Sequence, residues 1–293
     1  MVFRVCNDRD MHAAEELSEF TETALTVRGM DVRVFESDLV TGPAFVLIHG
    51  FGVSSRYFGP LARELSKYGR VLVLDLPGFG KTHDPDHALR LPGFAHVVNE
   101  VIRTLDVVEP VLVGHSMGTQ VAVEALLRAP GLSRAAVLAA PVVNDRERRA
   151  GLLMWRFVES AVKEPPASAW DSIRGFLHSG PRWLLRDFGP MLTYRIEDRV
   201  PDIAVPITVV GGVGDHIAPP DWCRRLAERC TNGNVVIVEG AAHQMIHTSA
   251  SQVAEVALDL AKSGVQRPTK TGEGEQVRRS PGAKPPGLPP CGD

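Results

Sequence analysis

Three features of this 293-residue sequence predict an α/β fold, with a mostly parallel, doubly wound sheet flanked by helices. Short, continuous apolar runs alternate with helical stretches. Two alternating runs around Gly29 precede them, and one long segment interrupts the alternation with helical patterns alone. Residues 24–28 and 30–36 read as a partly exposed antiparallel hairpin, the edge of the sheet. The runs at 45–48, 71–74, 111–113, 136–138, 207–210 and 235–238 suit parallel strands buried on both faces, which gives eight strands in all. Helical stretches fall at 57–67, 95–105, 117–128, 222–228 and 252–261. In the last of these, Val253, Val256, Ala257 and Leu260 share one face at amphipathic spacing. Strand and helix in alternation imply right-handed crossovers.

The interruption runs from Asn144 to Val200. Three helical patterns occupy it: Leu152, Trp155, Val158 and Val162; then Trp170, Ile173, Phe176 and Leu177; then Leu184, Phe188, Met191 and Leu192. Seven of the 18 aromatic residues lie here: Trp155, Phe157, Trp170, Phe176, Trp183, Phe188 and Tyr194. An inserted helical cap is expected, with an apolar roof over any pocket beneath it. The expected division is a core of residues 1–143 and 201–262, a cap of 144–200, and a disordered tail of 263–293. Twelve of the 31 tail residues are Gly or Pro.

Composition narrows the function. A net charge of -3 and 44% hydrophobic residues describe an ordinary globular protein and exclude collagen, a disulfide scaffold and a wholly disordered chain. With a pI of about 6.4, no basic surplus is available to displace counterions, so nucleic acid is not an expected partner. The acidic N-terminal stretch (Asp8, Asp10, Glu15, Glu16, Glu19, Glu22) contains no apolar run that could serve as a secretory signal, and no run is long enough to span a bilayer. None of Cys6, Cys223, Cys230 and Cys291 forms a C-x-x-C pair, so all four read as free thiols. A cytoplasmic location is expected, and the oligomeric state stays open.

The chemistry centres on residues 111–118, Val-Leu-Val-Gly-His-Ser-Met-Gly, a buried strand running into Gly-x-Ser-x-Gly with a helix directly after it. That is the context of a nucleophile elbow. Its turn lifts the Ser116 hydroxyl clear of the sheet, Gly114 and Gly118 remove Cβ atoms that would clash, and the helix N-terminus points at the developing negative charge. A hydroxyl needs a base, and the base an orienting acid. The strand at 207–210 leads into Gly-Gly-Val-Gly-Asp215, and the strand at 235–238 leads into Glu-Gly-Ala-Ala-His243, both at the edge where ligands gather in open α/β sheets. His243 would take the Ser116 proton, and Asp215 would hold its tautomer. The backbone N–H groups of Phe51, in His49-Gly50-Phe51-Gly52, and of Met117 would form the oxyanion hole.

HGFG at 49–52, DLPGFG at 75–80, GHSMG at 114–118, GGVGDHIAP at 211–219 and GAAH at 240–243, in that order, resemble the α/β-hydrolase superfamily over residues 23–262. The resemblance implies a serine-dependent hydrolase fold with a cap between the sixth and seventh strands. Esterases, lactonases, thioesterases, carbon–carbon bond hydrolases and metal-free haloperoxidases share that machinery, so the substrate stays open. Ser116 speaks against the dehalogenase and epoxide-hydrolase branches, which use Asp. Phe51-Gly52-Val53 and Thr119 depart from the carbon–carbon hydrolase pattern. The expected function is hydrolysis of a small or medium apolar carboxylic ester or related acyl compound. The alternatives are carbon–carbon cleavage, perhydrolysis, a biosynthetic acyl step, or a binding protein that has kept the scaffold.

Several residues compete for these roles. Asp145 is an alternative acid and His247 an alternative base. His49 and His115 read as local hydrogen-bonding residues that shape their loops, His216 as a loop histidine, and Asp75 as a turn anchor. No cofactor or metal is expected. Gly80-Lys81-Thr82 lacks the upstream glycine of a phosphate loop, His243-x-x-x-His247 has Gln244 where a zincin needs Glu, and Gly212-x-Gly214 lacks its third glycine.

Overall fold

The computed structural model describes residues 17–85, 89–163 and 188–263. Strands β1 (Thr21–Val27) and β2 (Met30–Glu36) form the hairpin; β3 (Ala44–Ile48), β4 (Arg70–Asp75), β5 (Val111–His115), β6 (Ala135–Ala139), β7 (Ile207–Gly212) and β8 (Gly233–Val238) follow. They make one sheet in the order β1-β2-β4-β3-β5-β6-β7-β8, antiparallel at the β1–β2 and β2–β4 pairings and parallel from there on. The order reverses direction at β3, which sits between β4 and β5. Reversal leaves a crevice beyond the carboxyl ends of β3 and β5, where such sheets bind ligands.

Helices α1 (Gly59–Ser66), α2 (Leu91–Thr104), α3 (Met117–Arg128), α4 (Ala150–Lys163), α5 (Pro220–Arg229), α6 (Met245–Thr248) and α7 (Ala250–Ser263) complete the described core and part of the insertion. The boundaries differ from the sequence reading where proline starts a helix. Both α2 and α5 begin earlier than their apolar periodicity, because Pro92 and Pro220 occupy the first turn, where a missing N–H costs nothing. Residues 55–58 form a 3₁₀ turn ahead of α1. The central strands are fully buried: Val46, Leu47 and Ile48 of β3 and Leu112 and Val113 of β5 have no exposure, each worth about 1.5–3 kcal/mol on burial. Trp222, the largest fully buried side chain among the described residues, donates its indole N–H to the carbonyl of Pro141 at 2.8 Å, fixing α5 to the chain leaving β6.

Between β6 and β7 the described residues hold α4, a helical turn at 188–193 and 3₁₀ turns at Ile196–Asp198 and Val200–Asp202, without a strand. The helical pattern at Trp170, Ile173, Phe176 and Leu177, with Trp183 and Leu184, lies outside the described residues. So do Cys6, Cys291 and the tail from 264 on. Cys223 and Cys230 are buried free thiols. Among the described residues no helix is long and apolar enough to cross a membrane.

Candidate active site

Ser116 sits between β5 and α3 with φ 53° and ψ -119°, a left-handed conformation for a residue with a side chain. Such a conformation costs roughly 1–3 kcal/mol and persists only where its surroundings over-determine it. Here they do. The Ser116 N–H donates to the Ala139 carbonyl at 3.0 Å, and the Ser116 carbonyl accepts both the Thr119 N–H at 3.1 Å and the Thr119 hydroxyl at 2.6 Å. Thr119, which the sequence showed only as a departure from one pattern, thus braces the turn. A Cβ on Gly114 would lie 2.4 Å from the Gly118 carbonyl oxygen, and one on Gly118 would lie 2.1 Å from that of Ile48. Glycine is therefore required at both positions by close approach.

The sequence-predicted acid and base converge on this serine. His243 Nε2 lies 3.2 Å from Ser116 Oγ, and His243 Nδ1 lies 2.9 Å from Asp215 Oδ2. The carboxylate's other oxygen, Oδ1, accepts the N–H groups of Ile217 and Ala218, both at 2.8 Å. Burial alone would push the Asp215 carboxyl up. The charge and hydrogen bond of His243, together with those two N–H groups, outweigh it and hold the carboxyl below its usual range. An ionised Asp215 next to Nδ1 places the ring proton there and leaves Nε2 as the acceptor facing the hydroxyl.

On the other side of the serine, Gly50 allows the loop after β3 to lie close. A Cβ at this position would be 2.9 Å from Ser116 Cβ. Phe51 follows directly, and Met117, the first residue of α3, has an N–H with no acceptor inside its own helix. Both proposed oxyanion donors therefore belong to backbone adjoining Ser116.

The competing residues are engaged elsewhere. Asp145 accepts from Arg225 at 2.6 Å. His247 stacks on Tyr57, with ring centroids 6.0 Å apart. His49 is fully buried: its Nε2 accepts the Leu76 N–H at 3.1 Å, so Nδ1 carries the proton and donates to the Gly50 carbonyl at 2.8 Å. Asp75 accepts the N–H groups of Ser55 (2.7 Å) and Lys81 (3.3 Å), anchoring the turn as its position before Pro77-Gly78 suggested. His216 is half-buried in the loop beyond Asp215. His115 has a more pointed role, for its Nε2–H donates to the backbone carbonyl of His243 at 2.8 Å. Burial first, and then the neighbouring His243, bring His115 down to about 3, so it stays neutral beside His243.

Two aromatic contacts join the insertion to the site. Phe157 of α4 meets the His243 imidazole edge-on at 6.0 Å and 80°, and Phe188 meets Phe51 edge-on at 6.0 Å. At these two described positions the insertion presents aromatic rings to the site. A polar neck joins the two ends of the insertion, a feature that the sequence reading missed. Gln120 of α3 donates to the carbonyls of both Val142 (2.9 Å) and Met191 (3.1 Å). Arg148 donates to the carbonyls of Leu192 and Tyr194 and pairs with both oxygens of Glu197 at 2.8 and 2.9 Å. Glu124, buried on α3, accepts from Arg128, the Tyr194 hydroxyl and Arg199. The one available signal was a carboxylate and an amide, Glu124 and Gln120, on the largely apolar helix next to Ser116.

A family model described as the alpha/beta hydrolase family matches residues 45–256. The chain is 28% identical over 271 residues to a Synechocystis sp. protein provisionally named a non-heme chloroperoxidase, covering 78% of this chain and 95% of that one. It is 26% identical over 248 residues to a pimeloyl-[acyl-carrier protein] methyl ester esterase of Xanthomonas campestris, covering 73% and 93%. Among solved structures, a thermophilic esterase from Thermogutta terrifontis superposes with a TM-score of 0.70 at 20% identity, covering 83% and 99%.

Proposed function

The chain belongs to the alpha/beta hydrolase family of enzymes, and from that premise we propose a serine hydrolase that cleaves a small or medium apolar carboxylic ester or related acyl substrate. The observation that carries this reading is the unbroken hydrogen-bond chain from Ser116 Oγ through His243 to the buried Asp215, at 3.2 and 2.9 Å. In it, His243 Nε2 takes the hydroxyl proton as Ser116 Oγ attacks the acyl carbon. The carbonyl oxygen collects negative charge against the N–H groups of Phe51 and Met117, a donor pair in which each member is worth about 3 kcal/mol. His243 then passes its proton to the leaving alkoxide. Water, deprotonated by the same imidazole, releases the acid from Ser116. Asp215 stays ionised throughout and stabilises the imidazolium. Residues 144–200 serve as the cap over this site, and no step calls on a cofactor.

A fluorophosphonate is expected to label Ser116. Ser116→Ala is expected to lower ester turnover by about 10⁴-fold or more while the protein stays folded. A folded wild-type protein that resists labelling removes this reading. The likeness to a protein named for haloperoxidation favours perhydrolysis as a second reaction of the same acyl-enzyme, with peroxide in place of water. Rates with peroxide and acetate, set against ester hydrolysis, separate the two.

A further inference from the structure

We propose that the two aromatic contacts over the site divide the substrate between them, Phe157 meeting its alcohol half and Phe188 with Phe51 meeting its acyl half. This inference rests on the serine-hydrolase reading and adds a specificity map to it.

The chemistry sets the geometry. In the tetrahedral intermediate the reacting carbon carries Ser116 Oγ, the oxyanion, the leaving oxygen and the acyl carbon. The oxyanion is committed to the N–H groups of Phe51 and Met117. The leaving oxygen must lie within hydrogen-bond reach of His243 Nε2, because that imidazole hands it the proton. The acyl carbon takes the remaining direction, away from His243.

Phe157 and Phe188 are each tied to one of these directions. Phe157 sits on the imidazole, 6.0 Å between ring centroids, so the group attached to the leaving oxygen meets it first. Phe188 sits on Phe51, whose preceding glycine lies against Ser116 Cβ, so the group left on the serine lies on this side. In acylation the Oγ–C bond forms and the C–O bond to the alcohol breaks, the Ser116 proton leaving on the alcohol. In deacylation the water O–C bond forms and the Oγ–C bond breaks, the proton returning to Ser116. The alcohol has already departed at that second step. Phe157 therefore meets the substrate in acylation alone, whereas Phe188 meets it in both steps.

The test uses the full-length protein, the variants Phe157→Ala, Phe157→Leu, Phe188→Ala and Phe188→Leu, and two ester series. One series holds acetate constant and varies the alcohol from methyl to butyl to benzyl. The other holds p-nitrophenol constant and varies the acyl chain from two to eight carbons, with deacylation read from the turnover that follows the nitrophenolate burst. Phe157 variants are expected to shift relative kcat/KM across the alcohols by about tenfold and to preserve the ranking of acyl lengths. Phe188 variants are expected to do the reverse and to change the deacylation rate constant; an apolar pocket discriminates by about 10- to 200-fold per methylene. The leucine variants keep the test valid if an alanine disturbs folding. If the variants shift both series alike, or neither, while Ser116 still labels with fluorophosphonate, the subsite division is overturned and the hydrolase reading stands. If the wild-type protein fails to label, the hydrolase reading fails first.

Discussion

The elbow around Ser116 and the neck at the base of the insertion hold neighbouring parts of the molecule by opposite means. The elbow is made of backbone. Its strained serine is pinned by main-chain bonds to Ala139 and Thr119, and it needs two residues without side chains because Gly114 and Gly118 lie against peptide groups. The neck is made of long side chains, with Gln120, Arg148 and Glu197 reaching carbonyls and one another across the gap between α3 and the insertion. Backbone packing tolerates no change of shape, whereas a side-chain network tolerates replacement if every partner changes together.

The sharpest way to break this contrast is at Gly118. Alanine there puts a methyl 2.1 Å from the Ile48 carbonyl oxygen, and a loss of about 3 kcal/mol or more is expected in denaturant titration. At the neck, Arg148→Met removes the arginine hydrogen-bonded to both oxygens of the buried Glu197, leaving only Arg195, at 3.7 Å, among the described residues, and is expected to cost about 2–3 kcal/mol. Adding Glu197→Leu should recover more than half of that. A double variant as damaged as the single one would show that the neck is as intolerant as the elbow.

A smaller effect is read against pH. Folded His115 stays neutral down to about 3, whereas the unfolded chain protonates it near its ordinary 6.5, so the unfolded state binds the extra proton in between. Stability is therefore complete above pH 6.5 and drains away as pH falls toward 3, at up to about 1.4 kcal/mol per pH unit for one group. His115→Gln, which retains a donor and cannot titrate, should flatten the stability profile between pH 6 and 4 by that slope. The smallest effect is the counterpart of the first. Gly151 in α4 has nothing within 4 Å of an added Cβ, so Gly151→Ala should stabilise the protein by about 0.5–1 kcal/mol in the same titration.

The same contrast explains what could be read from the sequence. The elbow is contiguous, so its steric demands appear as a fixed spacing of Gly114, Ser116 and Gly118 after an apolar strand. Asp215 and His243 were legible because the strand–helix alternation places the ends of β7 and β8 on the same rim as Ser116. The neck was not legible, because Gln120, Arg148 and Glu197 are ordinary residues until the fold brings their segments together, and nothing local marks the pairing. His115 falls between the two. Its place in the motif was plain, but its bond to the His243 carbonyl spans 128 positions and depends on the loop after β8. Phe157 could be placed among the aromatics of the insertion, yet its aim at the imidazole depends on how α4 is carried over the sheet.

The stitched neck has a consequence for how this chain can vary. Gln120 brings the carbonyls of Val142 and Met191 to a single amide, so the excursion between them begins and ends at nearly the same point. Closing a loop whose ends already meet grows only logarithmically more expensive, about 0.6 kcal/mol for each doubling of its length. The excursion is therefore a natural cassette. It can be spliced, shortened or exchanged at that point while the strands beneath keep their register.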